Sequence, residues 1–326
     1  MAGPDPALAA PGGARERAPS VSLVLGSGGA RGYAHIGAIE AIEAAGLRIA
    51  AITGSSMGAL VGGIHAAGRL DAYRDWALAL TRFDVLRLVD IGLSGGGFIK
   101  GERIMAVLRE LVGDLDIEDL PVPFTAVAAD LDAGREVWFR RGPLFDAIRA
   151  SIAIPTVFRP VSWHGRTLVD GGLLNPVPVS ATLGDQTEFT IAVDVNAAPG
   201  PRGPERVAST AGAGTPADAD AADTDNGRLA SLRQRISRFV DELLPGGNGP
   251  PPESAVEPGK LELTARSLDV VQATLTRYKL AAQPPDLLIR VPRDACTFYE
   301  FDCARKLIGL GRERAEAALA EWLADS

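Results

Sequence analysis

A serine flanked by glycines is the strongest chemical signal in this sequence. The segment GSSMG places Ser56 at the centre of the pattern G-x-S-x-G. An apolar run at 49–53 precedes it and a small-residue helical pattern at 57–68 follows, which is the strand, turn and helix context that a serine nucleophile requires. Gly54 and Gly58 permit a sharp turn that projects the hydroxyl, and the N-terminus of the helix favours negative charge beside it. We therefore predict that Ser56 is a nucleophile.

A serine nucleophile needs a base, and the histidines are poorly placed to be that base. The chain has three of them. His65 lies in the same predicted helix as Ser56, about 13 Å along its axis at roughly 1.5 Å per residue. His35 belongs to another helix, where packing is the default role, and His164 lies in a turn between two short strands. A Ser-His-Asp triad is therefore poorly supported.

Asp170 is the alternative base. It ends a short predicted strand at 166–169, and Gly171 and Gly172 after it let the loop approach another group closely. A carboxylate that accepts the serine proton directly, and later activates water, would form a Ser-Asp dyad. Because Asp-Gly also begins many ordinary turns, the motif alone leaves the assignment open, with His164 as the other candidate.

A glycine-rich loop, GSGGARG at 26–32, separates the first apolar run from a helical pattern. The placement suggests dinucleotide binding, but G-x-G-x-x-G counted from Gly26 requires glycine where Arg31 stands. A nicotinamide-dependent oxidoreductase is therefore a minor alternative. The loop fits an anion cradle better, in which the N–H groups of Gly28 and Gly29 form a nest for an oxyanion. Arg31 would either shape the loop or meet a phosphate.

The elements that must position these residues alternate between strand and helix. Apolar runs at 21–25 and 49–53 each lead through a glycine turn into a helical pattern, which is typical of a parallel α/β sheet with sites at the carboxyl ends of its strands. Further strands are predicted at 124–129, 136–140, 166–169, 190–195 and 286–291. Further helices are predicted at 144–151, 260–278 and 298–323.

Composition divides the chain into four stretches. Residues 1–20 are rich in Ala, Pro and Gly and predict a disordered tail, whereas 21–196 predict the catalytic core. Residues 197–259 predict a disordered insertion containing an amphipathic helix with four arginines at 228–243. Packing on the sheet or on another subunit is the favoured role of that helix, ahead of contact with lipid. Residues 260–326 complete the same domain.

Charge, hydropathy and cysteine content exclude several classes of protein. The net charge of −8, from 33 basic and 41 acidic residues, disfavours binding to the negatively charged backbone of a nucleic acid. No apolar run is long enough to span a bilayer and the N-terminus has no apolar signal core, so we expect a cytoplasmic protein. Cys296 and Cys303 form no CxxC pattern and are predicted to be small half-buried residues, with no metal site.

Taken in order, the motifs GSGGARG, GSSMG and DGG resemble those of the patatin-like phospholipase family, of the bacterial single-domain type. The segments SIAIP at 151–155 and NPVP at 175–178 are also similar to that family. The resemblance covers residues 21–196, and a weaker similarity extends from residue 286 to the end of the sequence. It implies a three-layer α/β/α fold around a mainly parallel central sheet.

The resemblance also implies roles for individual residues. Ser56 would be the nucleophile, Asp170 the proton acceptor, and Gly28 and Gly29 the oxyanion-hole donors. Ser27 departs from the family form G-G-G-x-[RK]-G, in which glycine is common at that position. The residues that shape the three turns complete the predicted site: Gly26, Ser27, Arg31, Gly32, Gly54, Gly58, Gly171 and Gly172.

The function implied is a serine acyl hydrolase that acts on lipid esters through an acyl-serine intermediate, as a phospholipase A, lysophospholipase or esterase. No metal and no cofactor are required. The alternative is a patatin-like scaffold that binds lipid or a protein partner with little turnover. The lipid head group, the chain length, peripheral contact with a membrane and the oligomeric state stay open at this point.

Overall fold

The computed structural model describes residues 18–81, 84–85, 97–199 and 258–325. Most of the predicted N-terminal tail and most of the predicted insertion, including the amphipathic helix at 228–243, lie outside the described residues. Within them, no helix combines the length and the apolar character needed to cross a bilayer.

The strands follow the apolar runs of the sequence. Their bounds are β1 Ser20–Leu25, β2 Arg48–Ser55, β3 Gly97–Ile99, β4 Phe124–Asp130, β5 Arg135–Phe139, β6 Thr156–Phe158, β7 Val161–Trp163, β8 Arg166–Asp170, β9 Phe189–Ala197 and β10 Leu287–Pro292. The main sheet has the order β10-β9-β1-β2-β4-β8-β7, with β5 also paired to β4. Strands β10, β9, β1, β2 and β4 are parallel, whereas β5, β7 and β8 join by antiparallel pairing. Strands β3 and β6 form a separate parallel pair.

Helices connect the strands and cover both faces of the sheet. Their bounds are α1 Ala34–Ala44, α2 Met57–Ala66, α3 Leu70–Ala79, α4 Glu102–Val112, α5 Leu144–Ser151, α6 Pro258–Ala282 and α7 Ala304–Ala324. Short 3-10 turns occupy Gly29–Tyr33, Ile117–Asp119, Gly171–Leu173, Val179–Thr182 and Arg293–Ala295.

Two apolar clusters show which helices pack on which face. Alternate side chains of a strand point to opposite faces, so Leu23 and Val24 of β1 belong to different clusters. The larger cluster joins Leu23 to residues of α1, α2, α5 and α7. The smaller joins Val24 to Val177, Val179 and Leu280 of α6. The sheet is therefore the middle layer of three, as the resemblance implied.

The main difference from the sequence prediction lies before the last helix. We predicted a helix at 298–323, but α7 begins at Ala304. The preceding residues form a turn in which the Glu300 carboxylate accepts the N–H of Thr297 at 2.9 Å and the Glu300 carbonyl accepts the N–H of Cys303 at 3.1 Å. The spacing of the apolar residues at 298–301 is compatible with a helix, but these side-chain and backbone hydrogen bonds stabilise a turn instead.

Candidate active site

The register of β4 brings Ser56 and Asp170 together. Strand β2 pairs with the first half of β4, ending with Ser55 opposite Val127. Strand β8 runs the other way along the second half, with Asp170 opposite Ala128. Because β5 pairs with both halves of β4, β2 and β8 must share the remaining edge. The carboxyl ends of β2 and β8 therefore meet at adjacent residues of β4, Val127 and Ala128.

Ser56 occupies a strained position at the start of α2. Its backbone has φ 55° and ψ −124°, which few residues other than glycine adopt. Its N–H donates to Ser151 Oγ at 2.9 Å, and Ser151 Oγ in turn donates to the carbonyl of Val127 at 2.6 Å. Ser151, which ends α5, therefore holds the strained turn against β4.

The hydroxyl of Ser56 is bonded directly to Asp170. Ser56 Oγ donates to Asp170 Oδ2 at 2.6 Å, and both residues are almost fully buried, at 3% and 2% exposure. The other carboxylate oxygen, Asp170 Oδ1, accepts the N–H of Gly172 at 2.7 Å. The Asp170 N–H donates to the Ala153 carbonyl at 2.9 Å. Backbone bonds on either side thus aim one carboxylate oxygen at the hydroxyl.

Burial changes the protonation of Asp170. Desolvation raises the pKa of its carboxyl from the usual 3.8 to about 7, and the bonds from Ser56 and from the Gly172 N–H oppose that rise. A carboxyl that titrates near neutral pH can both accept and return a proton under ordinary conditions. Asp170 therefore suits a general acid-base role better than an exposed aspartate would.

The glycines of the three motifs stand where backbones touch. A Cβ atom at Gly54 would lie 2.3 Å from the Gly58 carbonyl oxygen, and one at Gly58 would lie 2.0 Å from the Leu25 carbonyl oxygen. A Cβ at Gly171 would lie 2.1 Å from the carbonyl oxygen of Val127. Only glycine permits these approaches without displacement of the backbone.

Gly171→Ala provides a test of this close approach. The added methyl group would push the Asp170 turn away from β4, so we expect activity to fall by about 100-fold or more, together with destabilisation of about 1–3 kcal/mol. Gly184→Ala is the matched control, because a Cβ at Gly184 would meet no atom of the described residues within 4 Å. Ester turnover and urea unfolding of both variants check the prediction. Equal activity in the two variants would contradict it.

The glycine-rich loop lies beside Ser56 and presents backbone donors. A Cβ at Gly32 would lie 2.4 Å from Met57 Cβ, so the loop packs directly on the residue after Ser56. The Ala30 N–H donates to the Phe298 carbonyl at 2.9 Å. In the part of the chain that the structure describes, the N–H groups of Gly28 and Gly29 donate to no protein acceptor. These two groups are the donors that an oxyanion would require.

Arg31 shapes the loop. Its side chain is buried, and Nε donates to the Gly28 carbonyl at 3.2 Å. Nη1 donates to the carbonyl of Arg293 at 3.0 Å, and Nη2 forms an ion pair with Asp269 Oδ1 at 2.7 Å. All three guanidinium nitrogens are therefore engaged within the protein. Of the two roles considered from the sequence, the structure shows the loop-shaping one.

A polar cluster that the sequence analysis missed secures the same loop. The Gln272 amide oxygen on α6 accepts a bond from Ser27 Oγ at 3.3 Å and one from Asn196 Nδ2 at 3.1 Å. Asn196 Nδ2 also donates to the carbonyl of Ser27 at 3.0 Å. Ser27, which stands where the family form commonly has glycine, thus has a buried polar partner for its hydroxyl. Asn196 lies one residue before the end of β9, which pairs with β1, so its position at the site could have been suspected from the sequence. Nothing in the sequence places Gln272 here.

The three histidines lie away from the serine hydroxyl. His35 Nε2 donates to the Gly26 carbonyl at 2.7 Å, and burial lowers the pKa of its imidazole to about 4, so it is neutral at pH 7. His65 lies 3.5 Å from Glu43. His164 has φ 48° in the turn between β7 and β8. None of them bonds to Ser56, whose hydroxyl donates to Asp170.

Comparison with known proteins agrees with the fold and the motifs. The family described as patatin-like phospholipase matches residues 23–183. An uncharacterized NTE family protein of Mycobacterium tuberculosis, Rv1063c, is 43% identical over 335 residues, which covers 94% of this chain and 93% of the relative. The chain belongs to the patatin-like phospholipase family. Its three-layer architecture is the patatin fold.

Other known proteins match all or part of this chain. The uncharacterized NTE family protein Mb1092c of Mycobacterium bovis is also 43% identical, over 94% of this chain and 93% of the relative. Neuropathy target esterase sws of Drosophila melanogaster is 31% identical over 183 residues, which covers 54% of this chain and 13% of that protein. The crystal structure of VipD from Legionella pneumophila matches with a TM-score of 0.43 at 14% identity, over 95% of this chain and 67% of that one. Membership of the family implies hydrolysis of lipid esters.

Proposed function

We propose that this protein is a serine acyl hydrolase of lipid esters, with Ser56 as the nucleophile and Asp170 as the base. The observation that carries the proposal is the 2.6 Å hydrogen bond from Ser56 Oγ to Asp170 Oδ2. A nucleophile bonded directly to its base needs no histidine. The donors of Gly28 and Gly29, on the loop that packs against Met57, supply the third part of the site.

The acylation step begins with transfer of the Ser56 proton to Asp170 Oδ2. The Ser56 oxygen attacks the ester carbonyl carbon, and the N–H groups of Gly28 and Gly29 stabilise the resulting oxyanion. When the tetrahedral intermediate collapses, the bond to the alkoxide breaks and Asp170 returns the proton to that oxygen. An alcohol or a lysolipid leaves, and the acyl group stays on Ser56.

Deacylation uses the same groups in the reverse sense. Asp170 accepts a proton from a water molecule, whose oxygen attacks the acyl carbon and forms a second oxyanion at Gly28 and Gly29. Collapse releases the fatty acid, and the proton passes from Asp170 back to Ser56 Oγ. The N–H of Gly172 keeps the carboxylate oriented throughout, because it binds the oxygen that Ser56 does not use.

Family membership indicates a lipid substrate. We further propose that the protein contacts a lipid surface. Helix α6, whose Gln272 reaches the glycine-rich loop, exposes Val270, Val271 and Tyr278. We propose that these exposed apolar side chains contact a membrane surface and that the protein works in the cytoplasm. A scaffold with little turnover would retain that contact and lose the chemistry.

Release of fatty acid from lysophospholipid micelles, measured across a range of pH, is the experiment that tests this function. The base must be ionised to accept a proton, so kcat/KM should rise as the pH increases through about 7, the pKa to which burial raises the Asp170 carboxyl. Below that pH the rate should fall about tenfold per pH unit. Absence of fatty acid release, or a rate that is flat from pH 5 to 8, would contradict the proposal.

A further inference from the structure

The turn between β10 and α7 brings three metal-ligating side chains together. Cys296, Glu300 and Cys303 place their sulfur and carboxylate atoms all within 4.8 Å of one another. Cys296 Sγ lies 3.3 Å from Glu300 Oε2. Within the described residues this is the one group of three or more such side chains that converges in this way. The spacing C-x-x-x-E-x-x-C does not match the CxxC pattern, so sequence analysis does not predict this cluster.

We propose that Cys296, Glu300 and Cys303 bind a divalent zinc ion. Zinc accepts thiolate sulfur at about 2.3 Å and carboxylate oxygen at about 2.0–2.2 Å, so its tetrahedral ligands lie about 3.5–3.8 Å apart. Cys296 Sγ and Glu300 Oε2 lie 3.3 Å apart and all the donors lie within 4.8 Å of one another, so side-chain movements of about 1 Å would complete the site. Two sulfur donors select a thiophilic cation over magnesium or calcium, which prefer oxygen ligands alone. Water would fill the fourth position.

A disulfide between the two cysteines is the main alternative for this cluster. Both cysteines are free thiols in the structure. The Glu300 carboxylate lies against Cys296 Sγ, whereas a disulfide between the two cysteines would give that carboxylate no bonding role. In a zinc site the same carboxylate is a ligand, and the cation offsets the charge of all three groups. The position of Glu300 therefore favours the metal.

The proposed ion would fasten a turn that supports the glycine-rich loop. Phe298 lies between the ligands, and its carbonyl accepts the N–H of Ala30 at 2.9 Å. Its ring covers Gly29 so closely that a Cβ there would lie 2.5 Å from Phe298 Cδ2. Zinc would hold this turn, and through it the backbone donors of the loop. Only this consequence rests on the proposed function, since binding of zinc itself does not.

Metal titration of the full chain tests the proposal without using enzyme activity. The purified protein is reduced, stripped with a chelator and titrated with zinc against a chromophoric chelator. Cobalt is titrated in parallel, because thiolate ligands give it an intense charge-transfer absorption. We expect one ion per chain and a higher Tm with zinc. Cys303→Ser should weaken zinc binding by at least about 100-fold and Glu300→Gln by about tenfold or more. Loss of a residue that only hydrogen-bonds to a metal ligand already lowers metal affinity by about 10- to 100-fold.

Glu313→Gln is the matched control, because Glu313 is an exposed glutamate on α7, the helix that follows the turn, and is not one of the three converging side chains. It should bind zinc as the wild type does. Equal zinc affinity in the wild type and in Cys303→Ser, or no thiolate band with cobalt, would overturn the proposal. So would a protein, as isolated, that has no reactive thiol and is two hydrogens lighter than its reduced form, since that result identifies a disulfide.

Discussion

Ser56→Ala is expected to lower kcat for ester hydrolysis by about 10⁵- to 10⁶-fold, which in practice means to background. The substitution removes the oxygen that attacks the ester carbonyl, and nothing else at the carboxyl end of β2 can replace it. The neighbouring hydroxyl, Ser55 Oγ, is buried and has no hydrogen-bond partner among the residues that the structure describes. It lies on β2, 2.8 Å from the position that a Cβ at Gly171 would take. It therefore faces the Asp170 turn.

Two measurements separate this effect from misfolding. Ser162→Ala removes the hydroxyl of an exposed serine on β7 and should leave kcat unchanged. The Tm of Ser56→Ala should stay close to that of the wild type, because α5 still fixes the strained turn through Ser151 and the backbone N–H of residue 56. Retention of more than about one part in a thousand of the activity in folded Ser56→Ala would exclude Ser56 as the nucleophile.

Asp170→Asn is expected to lower kcat by about 10³- to 10⁴-fold while the protein stays folded. Asparagine has the shape of aspartate and can still accept the N–H of Gly172, but it cannot take the proton from Ser56. The loss should be smaller than for Ser56→Ala, since the hydroxyl and the donors of Gly28 and Gly29 remain. Near-normal turnover would mean that the base lies elsewhere, and His164→Ala would then be the next variant to measure.

The same substitution has a distinctive effect on stability. Burial raises the pKa of the folded Asp170 carboxyl from 3.8 to about 7, so its neutral form is favoured on folding. This contribution is fully present below pH 3.8, declines between 3.8 and 7, and is absent above about 7. Because asparagine never ionises, the Tm of Asp170→Asn relative to the wild type should rise between pH 5 and pH 8. A constant difference in Tm would contradict the raised pKa.

The sequence alone singles out Ser56 and Asp170 as candidates, because each directly follows or ends a strand and is flanked by glycine. It was not sufficient to show that they touch. Their contact depends on β2 and β8 meeting along one edge of β4, between Val127 and Ala128. That register is set by long-range pairing, which no local pattern in either motif encodes.

The supporting residues show the same limit. The loop motif includes Arg31, but its partner Asp269 lies 238 residues further along the chain, on α6. Gln272 lies three residues further along the same helix, and the helical spacing of α6 gives no sign of which face meets Ser27. Cys296 and Cys303 looked unremarkable because Glu300, which completes their cluster, belongs to no familiar spacing. Contacts between segments that are distant in the sequence could therefore not be predicted from the sequence alone.

The assignment of Ser56 as an activated nucleophile is tested most directly by labelling with a fluorophosphonate. The reagent forms a covalent phosphonyl ester with a serine whose proton is removed by a neighbouring base. Mass spectrometry of peptides from the labelled wild type should place the adduct on Ser56. Labelling should be absent in Ser56→Ala and strongly slowed in Asp170→Asn. Equal labelling of the wild type and Ser56→Ala, or an adduct on another serine alone, would contradict the assignment.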